Sequence, residues 1–455
     1  MVFKKEFVRD LGGGYIPNVY NTRAAQLYIQ NVLNAFRKHY TRHIGSTFKG
    51  FLIEMPAHKT GDGAIPWDDD LVVKFRTKYK KDLLKYLPSL YFDMPQAARI
   101  RNQIYAYLDQ SMYERFALPI EAWAKNARLS QWVLCPERSI YRTNHGLVDG
   151  DVHTDPGLAM VGLQNIDGIE ENAAHLRSMA DINFSEYKRG TVAVVGRNRS
   201  GASATPQSLK TEIDVMLLAG ATQIVIDGCY YAIDQRGSLK TPHNTVWYTW
   251  LGSYFRPLVE YAARMQGVLQ GALPQRPIAV LSPATAIRAV YTPWNGEPVR
   301  AANVHLQKTV TALIRQNLDF EMVSEEHILH AVVKEGGEFA AGDRKGKLPF
   351  SALVVPYAPL VSRSMLVFLE KLVSKKGTVL FINDSPKGTF EDGVNSGVSK
   401  RIEKLLSQKK SSTRVVPIDD LERVLAAVPN RTVKLTAQDD TTPDILTVTA
   451  QDQGC

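Results

Sequence analysis

Short apolar runs alternate along the chain with longer segments in which apolar residues recur at helical spacing. The first run, GFLIEMP at 50–56, lacks polar alternation, which is typical of a strand covered on both faces, as in a parallel sheet. A helical pattern at 20–40 precedes it, and a helix-rich segment at 68–127 follows it. That segment carries one apolar stripe, which predicts core packing. The stripe consists of Ile100, Ile104, Tyr107, Leu108, Met112, Phe116, Ile120 and Trp123.

Four more strands are predicted before residue 270. They lie at 129–136, 157–167, 191–198 and 221–231. Helical patterns at 170–188 and 206–219 separate several of them, and another runs from Trp247 to Leu269. Strands that alternate with helices indicate parallel βαβ units. Together with the strand at 50–56 they are too few for a closed eight-stranded barrel.

A composition break at GALPQRP, 271–277, separates this unit from a second strand and helix alternation. The second unit has the size of a flavodoxin-like α/β domain. No GxGxxG or GxxxxGK[ST] motif follows its first strand, which argues against nucleotide binding. Beyond it, polar and apolar residues alternate around DDTTPD at 439–444, which predicts a hairpin. We therefore expect domains at 1–272 and 273–430, and the start of a β-sandwich at 431–455.

Composition changes this picture little. The chain has 455 residues, 44% of them hydrophobic, and a net charge of +9, but its Lys and Arg residues are scattered, which disfavours nucleic-acid binding. Its three cysteines form no CxxC pair, so neither a disulfide framework nor a zinc site is indicated. The N-terminal stretch MVFKKEFVRDLGGG is too polar for the apolar region of a signal peptide, and no apolar run approaches the length of a membrane span. We expect a cytoplasmic protein without a membrane partner.

The predicted strand ends carry the candidate chemistry, because ligands of α/β barrels bind at the carboxyl ends of the strands. Glu54 ends the first strand. The other candidates lie near strand ends or in the loops after them, and are His58, Trp67, Asp151, His153, Asp155, Arg197, Asn198, Asp227, Tyr230, Tyr231, His243 and Trp247. This set combines carboxylates, imidazoles and aromatic rings without a glycine-rich phosphate loop. It suits a polyhydroxylated ligand such as a carbohydrate, with acids for proton transfer.

Several of these residues have a structural alternative. A strand-end Glu also caps helices or pairs with Arg. DGDVHTDP at 149–156 is compatible with a calcium ion but is also ordinary turn chemistry, and no other cofactor is indicated. Tyr230 and Tyr231 alternate across a strand, so that one of them can belong to the core. Trp67 suits either the start of a helix or a platform for a sugar ring.

The order of several segments resembles the alpha-L-rhamnosidase-like glycoside hydrolases, over most of residues 20–390. The segments that carry the resemblance are FKGFLIEMPAH, PWDDDLVVKFRTKYKKDLLKYLPSL, ARIRNQIYAYLDQSMYERFALPIEAWAKNARL, LKTEIDVMLLAGATQIVIDGCYY, TPHNTVWYTWLGSYFRPLVEYAARMQGVLQG and PIAVLSP. The resemblance implies a (β/α) barrel followed by a flavodoxin-like domain. It also implies that Glu54, at the end of the fourth barrel strand, is the general acid.

On this mapping the visible strands are the fourth to the eighth, and the first three lie upstream. We expect a gene fragment, completion by a partner chain, or a contribution from the first 20 residues. An open sheet of this kind exposes its flank, which favours a homo-oligomer.

The sequence departs from the family at the seventh strand, where Val195 and Gly196 replace the expected Glu. We expect Asp227, or else Asp151 or Asp155, to act as the second carboxylate. The leading hypothesis is therefore a glycoside hydrolase that uses Glu54 and Asp227. The alternative is a glycan-binding or assembly protein that keeps the fold without activity, and a nucleotide-dependent oxidoreductase is a third, less favoured one.

Overall fold

The structure is a computed structural model and describes part of the chain. It covers residues 17–54, 65–68, 70–134, 159–162, 191–195, 205–226, 252–269, 273–274, 276–316, 318–340, 349–408, 412–425 and 450–451. The described residues form two five-stranded parallel sheets with helices packed on them. The prediction of an α/β protein with parallel strands is confirmed.

The first sheet contains five short parallel strands. They are β1 (Gly50–Glu54), β2 (Ser130–Leu134), β3 (Ala159–Gly162), β4 (Thr191–Val195) and β5 (Gln223–Ile226). Each strand pairs with the next one along the chain, so the spatial order equals the sequence order. Sequential parallel strands make up the wall of a (β/α) barrel, whereas the order of a doubly wound sheet reverses at a switch point.

The helices of this part of the chain are α1 (Thr22–Tyr28), α2 (Asn34–Tyr40), α3 (Leu71–Tyr79), α4 (Leu83–Tyr86), α5 (Ala97–Met112), α6 (Leu118–Asn126), α7 (Pro206–Leu218) and α8 (Gly252–Leu269). Their starts follow the capping chemistry of the sequence. Asn21 accepts a hydrogen bond from the Arg23 N–H at the start of α1, as its sequence position predicts. Thr205 and Ser208 form a capping box at the start of α7.

Helices α5 and α6 are joined by a π-helical turn, Tyr113–Ala117, in which Arg115 lies. The predicted apolar stripe along them is confirmed, since seven of its eight residues are buried and the eighth, Trp123, is partly buried. At its other end α5 packs against the second α/β unit, where the rings of Tyr105 and Tyr291 lie 5.4 Å apart. One apolar core therefore extends from α5 into the second unit.

The second sheet consists of β7 (Ile278–Leu281), β8 (Phe320–Val323), β11 (Ala352–Val355), β13 (Thr378–Ile382) and β16 (Arg414–Val416). The spatial order is β16-β13-β11-β7-β8, which is 2-1-3-4-5 when read from β8. Alternate residues of β7 enter different cores. Ile278 and Val280 pack with α5, and Ala279 and Leu281 pack on the opposite face. Cover on both faces explains why this strand is continuously apolar.

The remaining elements connect or flank this sheet. The helices are α9 (Ala284–Val290), α10 (Glu297–Arg315), α11 (Glu325–Leu329), α12 (Arg363–Ser374), α13 (Ser396–Leu406) and α14 (Leu421–Leu425). The short strands are β6 (Leu273–Pro274), β9 (Val332–Val333), β10 (Phe339–Ala340), β12 (Leu360–Val361), β14 (Gly388–Thr389), β15 (Gly393–Val394) and β17 (Ala450–Gln451). β17 pairs antiparallel with β6; most of the predicted tail hairpin lies outside the described residues.

Asn383 connects the ends of two strands of the second sheet through a chain of hydrogen bonds. Its N–H donates to the Val416 carbonyl, and its side-chain oxygen accepts from the Ile418 N–H, both at 2.8 Å. Its amide nitrogen therefore faces His305 Nε2 at 3.1 Å, which must accept. The proton of His305 then resides on Nδ1, which donates to the Pro356 carbonyl at 3.1 Å.

The backbone of Asn383 has a positive φ of 61°, a conformation that costs other residues with a β-carbon more than it costs glycine. Asn383→Ala and Asn383→Gly both remove the amide, and differ only in tolerance of this conformation. We expect the Gly variant to be the more stable by roughly 1 kcal/mol. Urea unfolding measures the difference, and equal stabilities would contradict this role of the backbone.

Candidate active site

All five strands of the first sheet end at one edge, which we call the carboxyl edge. Glu54 is in register with Leu134, which pairs with Met160, and the pairs continue to Val192 and Gln223. Because the strands are parallel, the segments that follow them leave the sheet at this edge. In the sequence Asp227 comes directly after β5, the strand farthest from β1.

The faces of the two outer strands can be assigned from residues that contact helices. The ring of Phe51 in β1 lies 5.9 Å from the ring of Trp123 in α6. Ile224 and Ile226 of β5 pack against the core formed with α7 and α8, whereas Val225 is 43% exposed. Since side chains alternate along a strand, Phe51 marks the face of β1 that is turned toward the helices.

β4 supplies no second carboxylate among the described residues. Ala193 and Val195 are buried in the core with α7 and α8, so both face the helix layer. Gly196 follows in the sequence, where the resemblance leads to the expectation of a Glu. Val195, the last described residue of β4, therefore packs in the core. The family resemblance maps β4 to the seventh barrel strand.

Trp67 and Asp68 lie where the chain returns from the carboxyl edge to α3. Trp67 is partly buried, packs against the main core, and accepts a hydrogen bond from Asn18 Nδ2 at its carbonyl, at 3.0 Å. Asp68 is buried and forms an ion pair of 3.0 Å with Arg115. It also accepts from Asn21 Nδ2 at 3.0 Å.

Arg115 contacts Asp68, Tyr20 and Tyr107 in one buried cluster, which we call the Arg115 cluster. The sequence did not single out Arg115 as a functional residue. One amino group of its guanidinium donates to the Tyr20 carbonyl, and the other to the Tyr107 hydroxyl, both at 2.7 Å. The only signal in the sequence was its place in the ERF segment of the family resemblance. With the bond to Asp68, the buried guanidinium donates three hydrogen bonds, one of them to a charged partner.

The position of Arg115 along its helix shows where the Arg115 cluster lies relative to the carboxyl edge. The helix runs toward the start of β2, so it is antiparallel to the strands. Along the helix axis, Arg115 lies about 12 Å before Trp123. Along the strand, Glu54 lies about 10 Å beyond Phe51. Since Phe51 contacts Trp123, Arg115 is level with the end of β1. The ion pair thus holds Asp68, at the start of the segment that leads into α3, level with this edge.

Asp70, the other acid near the start of α3, has a different electrostatic environment from Asp68. Asp70 is exposed and pairs with Lys74 at 2.9 Å, and the hydrogen bond from Lys74 lowers the pKa of that carboxyl. This surface pair contributes little to stability compared with the buried one. The two acids near the start of α3 therefore have different roles, with Asp68 as the anchor.

Most other predicted site residues lie outside the described part of the chain. These are His58, Asp151, His153, Asp155, Arg197, Asn198, Asp227, Tyr230, Tyr231, His243 and Trp247. For Glu54 the backbone is described. The calcium alternative at 149–156 also lies outside, and within the described ranges no cluster of His, Cys, Asp and Glu could hold a metal. None of the helices described is both long and apolar enough to cross a membrane.

No family profile and no curated protein matches the sequence. Solved structures do. A rhamnosidase from Novosphingobium sp. PP1Y aligns with 91% of this chain at a TM-score of 0.60 and 15% identity. β-Galactosidases from the haloarchaeon Halorubrum lacusprofundi and from Rahnella sp. R3 align with 85% and 86% of it, at TM-scores of 0.57 and 0.56, each with 12% identity.

The chain shares its α/β fold with the aligned parts of these glycoside hydrolases. It spans 39% of the rhamnosidase chain, and 61% and 59% of the two β-galactosidase chains. At such identities the likeness concerns the fold, because one fold supports many activities. The expected glycosidase-like fold is therefore confirmed, and the residues that perform chemistry have to be argued from the site.

Proposed function

We propose that the protein is a glycoside hydrolase, rhamnosidase-like in its barrel, with Glu54 as general acid and Asp227 as the second carboxylate. The observation that carries the proposal is the placement of both strand ends at one edge of a sequentially ordered parallel sheet. In α/β barrels, catalytic groups from different strands meet at this edge.

The alternation along the outer strands supports this assignment. By alternation from Phe51, which contacts α6, we propose that the side chain of Glu54 is on the face away from the helices. Ile224 and Ile226 contact the helix layer. If the alternation of β5 continues by one residue, Asp227 falls on the face of Val225. Both carboxylates would then share the face that forms the interior of a barrel.

Each acid would have a defined part in the reaction. Glu54, protonated, would donate its proton to the glycosidic oxygen as the bond to the anomeric carbon breaks. Asp227 would activate a water molecule or attack the anomeric carbon on the opposite side of the sugar ring. In an eight-stranded barrel β1 and β5 would lie across the mouth from each other. A carboxylate separation of about 5–5.5 Å would predict retention, and about 6.5–9.5 Å inversion.

The domain assignment is part of the same proposal. Sequential order in the first sheet supports a barrel wall formed by strands four to eight, and the order 2-1-3-4-5 supports a flavodoxin-like second domain. Among the described strands β1 pairs only with β2, so its outer edge is open to further strands. We propose that additional βα units, from this chain or from a partner chain, pair there.

A second function, carbohydrate binding without turnover, is favoured by one observation. The described end of β4 offers Val195, which faces the helices, where the resemblance predicts a Glu. A protein with one carboxylate could protonate a leaving group but could not also activate water on the other face. Asp227 decides between the two functions.

Purified protein assayed with aryl α-L-rhamnosides and aryl β-D-galactosides tests the proposal. We expect release of the aryl group from at least one series, with saturation kinetics. Binding of the free sugar by calorimetry without release of the aryl group would favour the second function. If neither series is hydrolysed and neither sugar binds, both proposals are wrong.

A further inference from the structure

Two segments that are distant in sequence bring an exposed aromatic cluster together where the two units meet. Tyr91 and Phe92 precede α5, and Trp294 lies in the turn before α10. The Trp294 ring centre is 4.8 Å from that of Tyr91 and 5.3 Å from that of Phe92. Trp294 is 60% exposed and Phe92 46%. We call these three rings the aromatic platform.

The platform is held rigidly. Tyr91 is half-buried against the main core, and burial raises the pKa of its hydroxyl. The turn that carries Trp294 is closed by a hydrogen bond of 3.0 Å from the Asn295 N–H to the Thr292 carbonyl. Rings that are fixed before binding lose little conformational freedom when a ligand stacks on them.

Polar groups border the rings. The carboxylate of Asp93 is exposed and is oriented by Arg101, whose guanidinium donates to it at 2.9 Å. Arg101 itself is buried and donates to the Phe92 carbonyl, also at 2.9 Å. In α10, which begins three residues after Trp294, Glu297 and Arg300 form an exposed pair at 2.7 Å. Carboxylates that accept hydrogen bonds and a guanidinium group that donates them are thus available near the platform.

The size of the platform limits its ligand. Two rings exposed to this extent present about 200–300 Å², whereas a stable protein interface needs about 800 Å² on each partner. An area of this size matches a sugar ring, whose C–H face stacks on aromatic rings and whose hydroxyls bond to carboxylates and guanidinium groups. We propose that the aromatic platform is a second carbohydrate-binding site, which holds a remote part of a polymeric glycan.

The length of α5 separates the platform from Arg115. The helix begins beside the platform and leads to Arg115, about 27 Å further along its axis. Arg115 is level with the end of β1, and α6 continues from there toward the start of the strands. The platform therefore lies at the opposite end of α5 from Arg115. This inference rests on the proposed function for the identity of the ligand.

Native gel electrophoresis in gels that contain soluble pectin or β-galactan tests the platform without any need for turnover. We expect at least one polysaccharide to retard the wild-type protein. Trp294→Ala should weaken retardation at least 5-fold, as measured by the dissociation constant for the polysaccharide, because stacking on the largest ring contributes about 1 kcal/mol or more. Trp294→Phe should restore part of it.

Phe36→Ala is the matched control, because Phe36 is 49% exposed and also stacks on a neighbouring ring, that of Tyr40. It should be retarded like wild type, and circular dichroism verifies that all variants are folded. Retardation of Trp294→Ala equal to wild type, or no retardation of the wild type by either polysaccharide, would overturn the proposal. Retardation without release of sugar would refute the hydrolase but leave the platform.

Discussion

Glu54→Gln is expected to reduce turnover of an aryl glycoside with a poor leaving group, such as an unsubstituted phenyl glycoside, by about 10²–10⁴-fold. Glutamine cannot donate the proton that the departing oxygen requires. With a 2,4-dinitrophenyl leaving group, which departs as a stable anion, the loss should be far smaller. A loss of kcat that is much larger with the poor leaving group than with 2,4-dinitrophenolate is the signature of a general acid.

Glu326→Gln is the matched control for this substitution. Glu326 is an exposed acid in α11 of the second unit, and its replacement should leave both rates unchanged. An equal loss with both leaving groups would indicate that Glu54 supports the structure rather than the proton transfer. Rates equal to those of the wild type would remove Glu54 from the mechanism.

Asp68→Asn should be among the most destabilising single substitutions in the first unit. It leaves the Arg115 guanidinium buried with three neighbours that are neutral, Tyr20, Tyr107 and the new amide. Breaking a buried ion pair from one side costs about 3–5 kcal/mol. Urea unfolding followed by circular dichroism measures this loss as a lower midpoint for the transition that reports the first unit.

Asp70→Asn is the matched control, since Asp70 lies two residues further and pairs with Lys74 at the surface. Exposed pairs contribute about 0–1 kcal/mol, so this variant should unfold close to the wild-type midpoint. Asp68→Asn combined with Arg115→Met should cost less than the sum of the two single substitutions, because no buried charge remains alone. Equal losses for Asp68→Asn and Asp70→Asn would contradict the anchoring role.

Much of the strand pattern could be predicted from the sequence, because each parallel strand is a compact apolar run. TVLFI of β13 is an example, since four of its five residues are buried and the residues that follow it are polar. The exact ends of such a strand cannot be predicted, because the sequence does not show where strand pairing stops. The order of the second sheet depends on contacts between distant segments, which local patterns do not encode.

The site was predictable to a smaller extent. Glu54 stood out because an acid ends an apolar run. Arg115 did not, because an Arg within a helical pattern is usually exposed, and its partner Asp68 lies far away in the sequence. Trp294 likewise gave no signal, since a lone aromatic residue in a loop acquires meaning only when the fold brings Phe92 to it.

Rescue of Asp227→Ala by azide tests the pairing of Asp227 with Glu54 most directly. With the carboxylate removed, azide can attack the anomeric carbon from that side while Glu54 protonates the leaving oxygen, which gives a glycosyl azide. We predict that Asp227→Ala is inactive with the aryl glycoside alone, and that added azide restores its turnover with formation of the glycosyl azide. Full activity of Asp227→Ala without azide would contradict the account.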